Sequence, residues 1–239
     1  MGVSDLEPLL DLQERDLALD RLRHRREVLP ERDALRAAET QAASLESDLH
    51  QLRDARDEVA REERKHDDEA QALGTQATTA ERRLYSGEVS SPRELQALQA
   101  DVEQLRRHQR AIEDNQLATM ERREPLDEQV KVLERDLETT TEAVANASAG
   151  LAAAEAEIDA AIEVERAARE ALASGLPSDL VTEYERCREK ANGIGAARLI
   201  GGTCQGCHLT IPATEVDRIR KAAPGVFAHC DNCGCILVP

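Results

Sequence analysis

The sequence contains no tryptophan, and its only aromatic residues are Tyr85, Tyr184 and Phe227. A single globular core built from 239 residues would use many more large rings to fill its volume. No run of about 18 apolar residues occurs, so no transmembrane helix is expected. The start of the chain has no basic segment followed by an apolar one, which argues against a signal peptide. These absences exclude a large single core and predict a cytoplasmic protein.

The sequence also lacks an excess of positive charge, since its formal net charge is −17. Residues 190–239 contain five basic and three acidic side chains, a balance of +2, which leaves −19 for residues 1–189. Neither part therefore has the strongly basic character that usually binds nucleic-acid phosphates. Acidic charge on solvated helices mainly keeps a protein soluble.

Leu, Ala, Glu and Arg dominate residues 1–189, as is typical of coiled coils. Apolar residues recur three and four apart along two arms, and this sustained 3.5-residue repeat indicates a coiled-coil seam. Between the arms, Gly87 favours a turn and Pro92 favours the start of a helix. The predicted seam consists of Leu45, Leu49, Leu52, Val59, Ala70, Leu73, Ala77, Ala80 and Leu84 in the first arm, and Leu95, Leu98, Val102, Leu105, Ile112, Leu126, Val130, Leu133, Leu137, Val144, Leu151, Ala154, Ile158, Ala161 and Leu172 in the second.

The predicted fold class is mainly α. Residues 1–175 are expected to form a long antiparallel coiled-coil helical hairpin, with its turn near 85–92. A junction helix and a small C-terminal zinc ribbon, with short strands and one inserted helix, are expected over 176–239. In such a hairpin the two arms bury each other's seam residues, which favours a monomer, although gaps in the seam would admit a dimer.

Aligning Leu84 with Leu95 sets the expected register and gives arms of roughly 120 Å at 1.5 Å per residue. Pro30 then faces residue 149, and two helix-weakening positions at one level predict a bend there. Pro125 has no such partner, so only a local kink is expected at that position.

Two cysteine pairs, Cys204-Gln-Gly-Cys207 and Cys230-Asp-Asn-Cys233, stand near the end of the chain. In a reducing cytoplasm this spacing indicates a metal site before a disulfide. Four thiolates suit one tetrahedral zinc ion and leave no coordination position for water, so we predict a structural zinc and no catalytic residue. Around the pairs, the sequence predicts strands in IGAARLIGG, GVFAH and ILVP, and a helix that starts near Pro212.

Four further residues stand near this site or near the junction. Cys235 could replace Cys233 as a ligand or act as a redox-sensitive thiol, but an additional strand cysteine is the preferred interpretation. His208 and His229 adjoin ligands and could substitute for them, although four cysteines make this unnecessary. Cys187, on the predicted helix PSDLVTEYERCREK, is interpreted as a buried structural thiol. No phosphate-binding loop or nucleophile-elbow motif occurs, so we predict that the protein is not an enzyme.

Three segments in order, LYSGEVSSPRELQALQADVEQL, LPSDLVTEYERCREK and CQGCHLTIP followed by CDNCGCIL, resemble the bacterial four-cysteine zinc-ribbon proteins with a long coiled-coil hairpin. The resemblance covers essentially the whole chain and implies that the four paired cysteines bind zinc. Members are known as binding proteins, and some are described as flagellar chaperones that bind a transcript or components of alternative sigma factors. This sequence has Cys235 where the family pattern would have an arginine.

Two classes of function follow. The preferred one is an adaptor or chaperone that binds an unidentified protein partner, with the hairpin as spacer and the ribbon or the hairpin tip as the gripping surface. The alternative is RNA or DNA binding through the ribbon, for example in transcription regulation. The phosphate contacts would then be Arg198, Arg218, Arg220 and Lys221.

Overall fold

A computed structural model of the chain describes residues 6–221 and 227–239. Over these ranges, helices and a small C-terminal sheet follow one another in the order expected for a hairpin and a ribbon. The helices are α1 Pro8–Glu27, α2 Pro30–Tyr85, α3 Pro92–Ser174, α4 Ser178–Lys190 and α5 Ala213–Arg220, and the strands are β1 Ala196–Ile200, β2 Thr203–Cys204 and β3 Ile236–Val238.

The chain divides into two compact units, Ala34–Ala147 and Met1–Asp33 with Ser148–Pro239. In the first unit, α2 and α3 run antiparallel, because Arg106 binds Glu81 near the end of α2 whereas Glu134 binds Arg53 earlier in that helix. Every predicted seam residue of both arms is buried or half-buried. The predicted coiled-coil hairpin is therefore confirmed.

The predicted register within this unit is wrong by about one and a half helical turns. In that register Ile112 would face residue 67, but it packs with Ala70 and Leu73. Similarly, Glu81 would face residue 98, but its carboxylate lies 2.8 Å from Arg106. The reason is the connection: residues 88–91 have no regular secondary structure, so α3 does not start level with the end of α2.

At the level of the predicted bend, only one of the two helix-weakening positions interrupts a helix. The first arm is interrupted between Glu27 and Pro30, where α1 ends and α2 begins. In contrast, α3 continues through residues 146–150 and through Pro125. The alanines around Gly150 favour a helix, and one glycine costs about 1 kcal/mol, which a long packed helix tolerates.

The sheet has the strand order β2-β1-β3, with β1 antiparallel to β2 and parallel to β3. Successive strand residues point to opposite faces, so the sheet separates two apolar clusters. On one face, Ala196 and Ile236 pack with Tyr184 of α4 and with residues of α1. On the other face, Ala197 and Leu237 pack with the cysteines of the ribbon.

The strands predicted in IGAARLIGG and ILVP and the helix after Pro212 are confirmed as β1, β3 and α5. The strand predicted in GVFAH is partly outside the described residues. In its described part, Phe227–His229, the structure has only an isolated bridge between His229 and Ile236. No helix among the described residues is long and apolar enough to cross a bilayer.

Candidate metal centre

Both CxxC pairs lie on tight turns of the same form. The amide of His208 donates a hydrogen bond of 2.8 Å to the Cys204 carbonyl, and the amide of Gly234 donates one of 2.7 Å to the Cys230 carbonyl. The residue after each pair has a positive φ, 60° at His208 and 81° at Gly234. Glycine adopts this conformation freely, so the sequence signals the second turn more clearly than the first.

The turns bring the four predicted ligands together. The sulfurs of Cys204, Cys207, Cys230 and Cys233 all lie within 4.8 Å of one another. Two of the separations are 4.0 Å, between Cys204 and Cys233, and 3.8 Å, between Cys207 and Cys230. A tetrahedron of sulfurs about 2.3 Å from zinc has edges of about 3.8 Å. The sulfur positions therefore fit one structural zinc ion, whose coordination shell they would complete.

Burial raises the pKa of the Cys233 thiol to about 12 and so favours its protonated form. Hydrogen bonds with neighbouring cysteines shift this pKa in both directions. Because zinc binds the thiolate, loading the site must release protons. Zinc affinity is therefore expected to fall as the pH falls.

Cys235 is fully buried beside the four ligands. Its sulfur lies 3.6 Å from that of Cys204 and 3.4 Å from that of Cys233. Its carbonyl accepts a 2.9 Å hydrogen bond from the Cys230 amide. The residue thus contacts the sulfurs of two ligands and also belongs to the ribbon core.

A buried glutamine from α1 supports the strand that leads into the ribbon. Gln13 is 5% exposed. Its Oε1 accepts hydrogen bonds from the amides of Gly195, at 2.5 Å, and Ala196, at 3.2 Å. Its Nε2 donates to the Gly193 carbonyl at 2.9 Å. The role of this residue could not be predicted from the sequence, because a glutamine in a helix gives no sign of a partner 180 residues away.

Asp16, one turn further along α1, is only 1% exposed and joins three helices. Its Oδ2 accepts a 2.7 Å hydrogen bond from the Tyr184 hydroxyl, and its Oδ1 accepts one of 2.7 Å from Arg169. Burial, together with this carboxylate, raises the pKa of Tyr184, so the phenol remains a donor. Buried charges need such partners, and here the partners come from α3 and α4.

A second cluster of metal-ligand type was also missed. Glu183, Cys187 and His229 each offer one ligand atom, and these atoms lie within 4.8 Å of one another. The interpretation of Cys187 as a buried thiol agrees with its 3% exposure. The i, i+4 spacing of Glu183 and Cys187 was the available signal, but nothing in the sequence places His229 beside them.

The four basic residues considered for phosphate binding are in different environments. Arg198, on β1, forms two hydrogen bonds with Glu7, at 3.0 and 2.6 Å. Arg218, on α5, is paired with Glu215 of the same helix. Arg220 and Lys221 are exposed at the end of α5. Two of the four charges are thus balanced by carboxylates.

Comparison with known families agrees with this architecture. Residues 12–192 match the CT398-like coiled coil hairpin domain. Residues 203–237 match the C4-type zinc ribbon domain. The chain belongs to the family of CT398-like coiled-coil hairpin proteins with a C4-type zinc ribbon. Neither description is that of an enzyme family.

Relatives extend over almost the whole chain. An uncharacterised protein of Mycobacterium tuberculosis is 31% identical over 237 residues, which cover 99% of this chain and 96% of that protein. A solved structure from Mycobacterium smegmatis has a TM-score of 0.88 at 28% identity and covers 99% of this chain and 98% of that one. CT398 of Chlamydia trachomatis has the same fold, with a TM-score of 0.70 at 16% identity and coverage of 98% and 97%.

Proposed function

We propose that this member of the family is a cytoplasmic, non-enzymatic adaptor or chaperone. The zinc ribbon binds a protein partner, and the coiled-coil hairpin serves as a spacer. The proposal rests on which side chains the ribbon exposes. The apolar residues Ile200 and Leu209 are 55% and 51% exposed. In contrast, Arg198 and Arg218 are paired with carboxylates. Exposed apolar side chains and arginines that are paired with carboxylates suit a protein surface better than a phosphate backbone.

The closed thiol shell supports a structural role for this zinc. Four sulfur ligands leave no coordination position for a substrate or for an activated water molecule. The metal therefore fixes the loops that carry Leu209 and the inserted helix. A surface that is rigid before binding loses less entropy when a partner docks.

The hairpin tip is the other surface that could bind a partner. Tyr85, at the end of α2, is 84% exposed. An exposed tyrosine is a frequent contact in protein interfaces. The two surfaces can be distinguished by substitution, since neither Tyr85 nor Leu209 belongs to an apolar cluster of the described residues.

The test compares protein capture and nucleic-acid binding with the same variants. Tagged wild-type chain, Ile200→Ser/Leu209→Ser and Tyr85→Ser are used to capture proteins from native lysate after nuclease treatment. We expect the same specific protein with wild type and with Tyr85→Ser, and its loss with the double variant. Fluorescence anisotropy with labelled single-stranded RNA and duplex DNA should show no saturable binding at physiological salt.

The opposite pattern would reject the proposal. If capture depended on nucleic acid, and if Arg220→Gln/Lys221→Gln abolished saturable RNA or DNA binding, the ribbon would be a nucleic-acid-binding module. Equal capture by the double variant and wild type, with loss in Tyr85→Ser, would move the partner site to the hairpin tip.

A further inference from the structure

A mixed set of metal-ligand side chains joins α4 to the segment that precedes the second CxxC pair. Glu183 and Cys187 lie four residues apart on α4, so they share one face of the helix. His229 approaches that face from the ribbon. Its Nε2 lies 2.8 Å from Glu183 Oε1, and the Cys187 sulfur lies 3.7 Å from the same oxygen.

The chemistry of the three groups selects a class of metal. Thiolate, imidazole and carboxylate together are ligands of zinc and of the similar ion cobalt(II). Magnesium and calcium require shells of oxygen atoms and are disfavoured by the sulfur. Three protein ligands would leave one tetrahedral position for water, in contrast to the closed four-thiol centre.

The surroundings support a metal at this position but would make it exchangeable. Arg186 holds the pKa of the Glu183 carboxyl at about 2, so the carboxylate is ionised, although the guanidinium also competes for its oxygens. Burial raises the pKa of the Cys187 thiol, so a metal must displace its proton. The His229 side chain is 35% exposed and gives access from solvent.

We propose that Glu183, Cys187 and His229 form a second metal site, specific for a divalent transition ion of the zinc and cobalt class. The site is separate from the four-thiol centre and does not depend on the proposed adaptor function. Occupancy would link α4 to the loop that carries Cys230. A bound metal would therefore hold the ribbon against α4, and loss of the metal would remove that restraint.

The test uses the full chain with one zinc equivalent already bound at the four-thiol centre, to which cobalt(II) alone is added. Visible absorption reports a tetrahedral cobalt site and a thiolate-to-cobalt charge-transfer band, and a zinc indicator reports any displaced zinc. We expect one equivalent of cobalt to bind with the charge-transfer band and without release of zinc.

Variants identify the ligands. Cys187→Ser should abolish the charge-transfer band, and His229→Asn should weaken cobalt binding by at least about tenfold, since loss of even an outer-shell partner costs 10- to 100-fold. Because Cys187 is buried, the more exposed His229→Asn serves as the second variant, and circular dichroism checks the fold of both. His208→Asn is the matched control and should leave cobalt binding at the wild-type level.

Three results would overturn the proposal. The first is the absence of a charge-transfer band in the zinc-loaded wild type. The second is cobalt binding that is matched by zinc release, which would place the ion in the four-thiol centre. The third is unchanged binding in a folded His229→Asn variant.

Discussion

The hydroxyl of Tyr184 donates a 2.7 Å hydrogen bond to the Asp16 carboxylate, although the two residues are 168 positions apart in the sequence. Both side chains are almost completely buried, at 0% and 1% exposure. Tyr184 also packs against Ala196 and Ile236, at the base of the ribbon sheet. The pair therefore connects α1 and α4 directly to the sheet beside the metal centre.

Replacing this tyrosine should test the connection. Tyr184→Phe keeps the ring but removes a hydrogen bond to a buried carboxylate, so we expect a loss of about 1–3 kcal/mol in the free energy of unfolding. The measurement is urea denaturation followed by circular dichroism. Tyr85→Phe is the control and should change nothing, because Tyr85 is 84% exposed. Equal stability of the two variants would show that the buried hydrogen bond does not contribute measurably to the free energy of unfolding.

The close approach of the chain to Tyr184 gives a second prediction. A Cβ at Gly195 would lie 2.5 Å from the Tyr184 ring and 2.8 Å from its carbonyl oxygen. Gly195→Ala should therefore destabilise the protein by about 1–3 kcal/mol, because the ring must shift within a packed core.

Gly150→Ala is the matched change. A Cβ at Gly150, within α3, meets nothing within 4 Å. Because alanine is a better helix former, this variant should gain about 0.5–1 kcal/mol. Opposite shifts of the two urea midpoints are expected. A neutral or stabilising Gly195→Ala would contradict the packing described for Tyr184.

Loss of the zinc ligands should affect the ribbon far more than the hairpin. Cys204→Ser removes one thiolate from a core that contains few large apolar side chains, so we expect loss of the structural zinc and of order in the sheet and α5. Hydrogen exchange should rise in residues 196–220 and remain unchanged in 34–147. His208→Asn is the control, since it follows the ligand Cys207 but is not in the sulfur cluster. Collapse of helix protection throughout the hairpin would refute this independence.

The seam, more than the ion pairs, should stabilise the unit formed by residues 34–147. Leu49 is 4% exposed, and Leu49→Ala should cost about 2–5 kcal/mol. One turn away, Arg53 and Glu134 form a 2.6 Å ion pair that is half exposed on both sides. Glu134→Gln should change the free energy of unfolding by less than about 1 kcal/mol. Similar losses in the two variants, measured by urea denaturation, would contradict a seam-dominated hairpin.

The features that could be predicted from the sequence are those that depend on the spacing of residues close together in the chain. The heptad positions around Leu49 and Ile158 and the two CxxC pairs follow from periods of a few residues, and the structure confirms both. The register failed because it depends on how residues 88–91 run between the helices. The roles of Gln13 and Asp16, and the position of His229 beside Glu183, could not be predicted because the partners are distant in the sequence and belong to other elements. Periodicity carries no information about such contacts.

Photo-crosslinking in living cells tests whether the ribbon surface binds protein. A photoreactive amino acid is placed at Leu209 on the ribbon and, in a separate variant, at exposed Val132 on the hairpin, which is 51% exposed and serves as the control. We expect a discrete protein adduct at Leu209 that persists after nuclease treatment and is absent at Val132. An adduct at Leu209 that nuclease removes, or the same adducts at both positions, would contradict the proposal.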